Sequence, residues 1–169
     1  ARPQRWRRRT RVPVHLPVLR DRDWNRTTLD QRRQLLHDEV DDGPAPGVIA
    51  YVDGDAAGWA RIGPRPSQQR IVHTRAIVRA TGEPLDDDGV WSLTCFVVRT
   101  QYRGRGLNSV LLAAAVDLAE RSGARMIEAY PVDTSHGEHR PNDLYHATLS
   151  TFVSAGFTVG PALTAGRVL

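Results

Sequence analysis

The feature that most constrains this fold is a run of four segments in a fixed order. The apolar stretch VWSLTCFVV (90–98) leads into the glycine turn QYRGRG (101–106). The stretch LNSVLLAAAVDLAERSGA follows, and then ARMIEAYPV. The first apolar stretch lacks strict alternation and reads as a strand buried on both faces. After the turn, Leu107, Val110, Leu111, Ala114 and Leu118 recur at helical spacing and predict a helix over about 106–121. Ser122-Gly123 ends it and Pro131 stops the second strand. A strand, helix and strand connected this tightly pack as a right-handed parallel crossover.

Around this unit the chain is more varied. VIAYV and AAGWARI, joined by Asp53-Gly54, predict an antiparallel hairpin. Residues 64–89 read as a long irregular connection. NDLYHATLSTFVSA predicts a helix closed by Gly156, with FTVG and AGRVL as the last two strands. Earlier, Thr28 and Gln31 have capping-box spacing at the head of a helix over 28–40. The fold class is therefore α/β: a mixed central sheet with a parallel strand-helix-strand core, flanked by helices. Residues 1–27 hold three prolines and no sustained period, and read as a basic arm ahead of a single domain over 28–169.

Charge sharpens that division. The net charge is +4, yet residues 1–33 carry 11 Arg against three Asp, while the remainder carries 12 Arg against 16 acids. The basic excess belongs to the arm. Six Arg within residues 2–11, with Trp6 among them, could hold a polyanion. A solvated tail is the simpler reading, and nucleic acid is not the expected partner. No run of about eighteen apolar residues predicts a membrane span, and no leader is apparent. The one cysteine, Cys95, excludes an internal disulfide framework and points to a reducing, cytoplasmic setting.

The glycine turn is the natural anion site. The first N–H groups of a helix have no partner within it, and their dipoles face the loop. Glycine lets a phosphate approach the backbone, and Arg103 and Arg105 add charge. A nucleotide P-loop needs a lysine, and this chain has none. A dinucleotide fingerprint needs a third glycine where Ser109 stands. The spacing of Gln101, Gly104 and Gly106, between CFVV and LNSVLLAAAVDLAERSGA, resembles the acyl-CoA loop of the GNAT acetyltransferase superfamily. The resemblance covers about residues 48–160. VWSLTCFVV, GRG and EAYPV are similar to an actinobacterial-type subgroup, with the N-terminal elements shortened.

That resemblance implies acetyl-CoA as co-substrate and a primary amine, favoured as a small cationic molecule, as acceptor. It implies that Phe96, Val97 and Val98 pair with pantetheine. The loop Arg103, Gly104, Arg105, Gly106, Leu107 and Asn108 would hold the pyrophosphate, and Tyr145 would touch pantetheine. The thioester carbonyl would lie near Phe96, polarised by a main-chain N–H. Glu128 is the expected general base, with Tyr130 two residues on and on the same strand face. A strand-end carboxylate paired with an arginine is the competing reading of Glu128. Asp86, Asp87 and Asp88 read as a solvated turn, or as an attractor for a cationic amine.

The chain departs from the family pattern at Phe152, where the motif carries the tyrosine that protonates the leaving thiolate. Tyr145 stands two turns earlier on the expected helix, about 10 Å away by helical rise. Ser150, Tyr130 or water remain as acids. Cys95 reads as a buried thiol and not a nucleophile. His136, Glu138 and His139 lack a third histidine nearby, so no metal is expected. The open edge at 167–169 allows a homodimer. Two rival readings stand: a non-catalytic acyl-CoA-binding or regulatory domain, and polyanion binding through the arm.

Overall fold

The computed structural model describes residues 41, 45–135, 145–164 and 167–169. The expected basic arm, the helix over 28–40 and the His136–His139 cluster lie outside the described residues. Four strands form the main sheet in the order β1-β2-β3-β4. They are β1 (Gly47–Val52), β2 (Asp55–Pro64), β3 (Val90–Val98) and β4 (Met126–Ala129). β1 and β2 form the expected hairpin, turning at Asp53-Gly54, both with positive φ. β2 pairs antiparallel with β3, and β3 pairs parallel with β4. The sheet is mixed, as the sequence predicts.

The crossover helix, α3 (Leu107–Arg121), packs on β1, β2 and β3. Its phase differs from the sequence reading. Leu111, Leu112, Ala115 and Ala119 are buried, while Val110 is 57% exposed. Residues 64–89 are more ordered than expected. A 3-10 turn (Arg65–Ser67) precedes two short helices, α1 (Gln69–Val72) and α2 (Arg75–Ala80). The last helix, α4 (Leu149–Ser154), starts later than its sequence signal. FTVG is not a strand. A separate two-stranded ribbon forms instead from β5 (Ala162–Thr164) and β6 (Arg167–Val168).

A bulge in β3 sets the side-chain phase. Arg61 pairs with Cys95 but Ile62 pairs with Leu93, so Thr94 is an extra residue. Such an insertion flips which face later side chains take. Trp91 and Leu93 point into the main core, and after the bulge Phe96, not Cys95, joins them. The opposite face carries Ser92 and Thr94, and a smaller cluster of Ile71, Ile77 and Tyr130 with Leu163 and Leu169. The parallel pairing of β3 with β4 ends at Leu93 and Ala129, one residue before the bulge. Beyond that point the two strands part.

Candidate functional site

The parting of β3 and β4 opens onto a groove of 450 Å³. Phe96, Val97 and Val98 form one wall, and Arg103, Gly104, Gly106, Leu107 and Asn108 another, with Tyr102 and Tyr145 at its margin. Nine of the ten expected donor-site residues thus line one cavity. Arg105 does not; its guanidinium lies 5.4 Å from the centre of the Tyr102 ring. Arg103 donates from Nε to the Val98 carbonyl at 3.1 Å, which ties the loop back to β3.

The loop conformation depends on its glycines. Gly104 and Gly106 have φ of 75° and 73°, the left-handed region that L side chains avoid. Gly106 is the N-cap of α3, and no side chain caps that end. Among the described residues, no backbone acceptor takes the N–H groups of residues 104 to 108. Gly104, Gly106, Leu107 and Asn108, at the positive end of a fifteen-residue helix, therefore line the same groove. Asn108 adds a buried Oδ1 without a partner.

Tyr145 is not on the last helix. It precedes that helix, in a turn, and its carbonyl accepts from Phe96 N–H at 2.6 Å. Ala147, with a positive φ of 58°, and Thr148 continue along the other strand: Val132 N–H donates to Ala147 O at 3.0 Å. The segment 145–148 thus sits in the gap between the parted strands. The N–H of Phe96, near which the thioester carbonyl is expected, is engaged by this segment.

Glu128 and Tyr130 lie on the far face, under α1 and α2. Glu128 is 6% exposed and pairs with Arg65, which is fully buried, at 2.9 Å. Thr81 Oγ1 donates to its other oxygen at 2.6 Å. Tyr130 donates to Glu128 at 3.2 Å and meets Ser92 Oγ at 2.9 Å. Arg65 also donates to Thr81 Oγ1 and to the carbonyls of Glu83 and Pro84. Gln68 extends the network, binding the carbonyls of Gly63 and Ser92 and accepting from Thr94. Burial holds the Tyr130 hydroxyl well above the usual tyrosine range, so it stays protonated. The arginine pairing weighed for Glu128 is present, and Glu128 does not line the donor groove.

Sequence reading missed Arg65. An arginine between two prolines gives no periodic signal of burial; only the acid across the sheet explains it. Asp87, one of the acidic turn residues, is spent on structure. It accepts from Gly89 N–H at 2.8 Å and from Arg125, whose guanidinium also bonds Glu83. That arginine holds the Asp87 carboxyl below its ordinary value. Burial pushes the Cys95 thiol up, which opposes a thiolate nucleophile. Phe152 is 2% exposed and packs edge-on against Phe96 and Phe157.

A second cavity, of 590 Å³, runs along the free edge of β4. It is lined by Ile127, Glu128, Ala129, Leu149, Phe152 and Leu169 among others. Among the described residues, no three His, Cys, Asp or Glu side chains converge on a metal position, and no helix is long and apolar enough to cross a membrane.

No curated protein matches the chain. A CoA-dependent acyl-homoserine lactone synthase, BjaI, solved with SAM and isopentyl-CoA, is similar at 24% identity and a TM-score of 0.52, over 88% of this chain and 65% of that one. An acetyltransferase structure is similar at 19% identity and a TM-score of 0.49, over 85% and 79%. The aminoglycoside N-acetyltransferase AAC(6')-Iy in complex with CoA is similar at 21% identity and a TM-score of 0.40, over 68% of this chain and 60% of its own length. The likeness to the synthase is one of fold. The model of the acetyltransferase (GNAT) family, which uses acetyl-CoA as co-substrate, matches residues 12–146, most of the chain, and the chain belongs to that family.

Proposed function

We propose that the protein is an N-acetyltransferase that moves the acetyl group of acetyl-CoA to the primary amine of a small cationic acceptor by direct attack. The observation that carries this reading is the groove at the head of α3. Its main-chain N–H groups at Gly104 and at Gly106–Asn108, two left-handed glycines and exposed Arg103 suit a pyrophosphate. The β3 backbone at Phe96–Val98 suits an extended pantetheine arm laid beside it. Tyr145, at the mouth, contacts that arm.

The reaction needs a neutral amine at the thioester carbon, a donor for the oxyanion and a path for the proton. The Phe96 N–H serves the oxyanion once the Tyr145 carbonyl releases it. The proton leaves by a chain of hydroxyls: Ser92 and Tyr130 stand 2.9 Å apart, and Tyr130 leads to Glu128 at 3.2 Å. Glu128 and Tyr130 act through this relay and do not touch the amine. The thiolate leaves with a proton from water or Ser150, since Phe152 carries no hydroxyl. The excess of acids over arginines beyond residue 33 favours a cationic acceptor.

Calorimetric titration with acetyl-CoA, beside Gly104→Asp, tests the reading. Aspartate there is strained at positive φ and sets a carboxylate where the pyrophosphate would lie. Micromolar binding lost in the variant, with thiol release over a panel of primary amines, is the expected result. Binding without turnover on any amine would make this a non-catalytic acyl-CoA-binding domain. No binding at all would remove the assignment.

A further inference from the structure

One aromatic contact joins the walls of the two cavities. Phe96 lines the donor groove and Phe152 lines the edge cavity. Their rings stand edge to face, 6.0 Å between centres, and both are almost fully buried. Phe157 braces Phe152 from behind at 5.2 Å, and it too lines the edge cavity. The residues lining the two spaces do not overlap, and the Phe96–Phe152 ring contact links a wall of one to a wall of the other. Beyond the pair lie Ile127, Ala129, Pro131 and Leu149, a largely apolar floor within 590 Å³, a volume in the range of small-molecule sites.

We infer that Phe152 sets the length of the acyl chain this enzyme accepts, and that the edge cavity is a latent acyl pocket closed by its ring. The inference rests on the donor reading above, which puts the thioester carbon near Phe96. An acetyl methyl ends at the aromatic wall. A longer chain would continue along the same direction into the Phe152 ring. Removing that ring joins groove and cavity, and an acyl tail then leaves water for apolar surface. Each methylene so transferred strengthens binding about fourfold when fully buried. A tyrosine in this place would carry a hydroxyl needing a partner; phenylalanine makes the wall wholly apolar, which suits a gate to an apolar space better than an acid for a thiolate.

The test needs no acceptor. Affinities of the full chain for CoA, acetyl-CoA, butyryl-CoA and hexanoyl-CoA are measured by calorimetry for the unmutated protein, Phe152→Leu and Phe152→Ala. Thermal melting checks that each variant folds, and the leucine variant keeps the readout if the alanine one does not. The unmutated protein is expected to bind acetyl-CoA more tightly than hexanoyl-CoA. In Phe152→Ala the ratio of hexanoyl to acetyl affinity is expected to rise at least about tenfold, with a smaller rise in Phe152→Leu, while affinity for CoA itself stays the same. An unchanged ratio in folded variants that still bind CoA overturns the gate and leaves the donor site intact. Loss of CoA binding in the unmutated protein overturns the donor site and the gate together. A hexanoyl preference already present in the unmutated protein overturns the gate alone.

Discussion

The Arg65–Glu128 pair makes the firmest energetic prediction. Arg65 is fully buried and Glu128 nearly so, and they meet at 2.9 Å. Among the described residues, the groups bonded to the Glu128 carboxylate are all donors: Arg65, Thr81 and Tyr130. Glu128→Gln keeps the shape but replaces one acceptor oxygen with an NH2, which must face a donor. It also leaves a guanidinium, which cannot shed its proton, without its counter-charge. Breaking a buried pair in this way costs about 3–5 kcal/mol, against a total near 5–15 kcal/mol for a domain. The Glu83 and Pro84 carbonyls still accept from Arg65, which places Glu128→Gln toward the lower end. Arg65→Met should cost as much, since it strands a buried carboxylate. The double variant Arg65→Met/Glu128→Leu removes both charges, and apolar replacement of a whole buried pair is often close to neutral. Its cost should fall short of the summed single costs by at least about 2 kcal/mol. Urea denaturation followed by far-UV circular dichroism measures all four proteins. Additive costs, or a Glu128→Gln penalty under about 1 kcal/mol, would show that the pair is not the buried unit drawn above.

Three further outcomes follow from the same geometry. Burial raises the Tyr130 hydroxyl above its reference value of 10.0, with Glu128 adding to the rise and the Ser92 bond opposing it. The stability it carries is complete below pH about 10 and is lost as the pH climbs beyond; Tyr130→Phe should therefore shift the alkaline unfolding midpoint upward, and an unmoved midpoint would contradict it. Arg125 and Asp87 are part-exposed, so Arg125→Ala should cost less than about 1 kcal/mol, shrinking in high salt. Because Asp87 is held below its ordinary value, that cost should be constant from pH 5 to 8 and narrow as the pH falls below about 4; a penalty that grows on acidification would refute the pairing. Acetyl-CoA should change the hydrogen-exchange protection of the Phe96 amide and of residues 145–149, whose bonds now span the gap; protection unchanged under saturating ligand would mean that segment 145–148 does not yield to the donor.

The legible parts of the fold were the local ones. β3, the glycine turn and α3 each carry their own signal: a nine-residue apolar run, two glycines at left-handed φ, and a helix-forming stretch ended by Ser122-Gly123. The groove at the head of α3 was legible for the same reason, since most of its walls come from those three elements in succession. The phase of α3 was not, because its alanine-rich middle offers two apolar stripes and only the sheet beneath chooses Leu112 and Ala115 over Val110. Tyr145 was misplaced because helical periodicity runs on through NDLYHATLS, whereas Ala147 at positive φ and the bond from Phe96 N–H stop the helix from outside. The burial of Arg65 depends on Glu128, sixty-three residues away, and no local pattern encodes such a partner.

The bulge at Thr94 ties these observations to function. Without it, Cys95 would follow Leu93 into the core and Phe96 would face the polar cluster of Gln68, Ser92 and Tyr130. With it, the Phe96 ring reaches Phe152 and its N–H turns into the gap beside β4. The same extra residue follows directly on the last β3–β4 pair, so the strands part where the phase changes. One inserted residue thus places a main-chain donor, an aromatic wall and an opening at a single position. The polar face keeps its own order: Glu128 and Tyr130 stay beneath α1 and α2 while Ile127 and Ala129 face the main core. The groove at the head of α3 and the Ser92–Tyr130–Glu128 hydrogen-bond chain therefore lie on opposite faces of β3 and β4. Under the proposed mechanism, an acceptor amine has to reach the gap to use both.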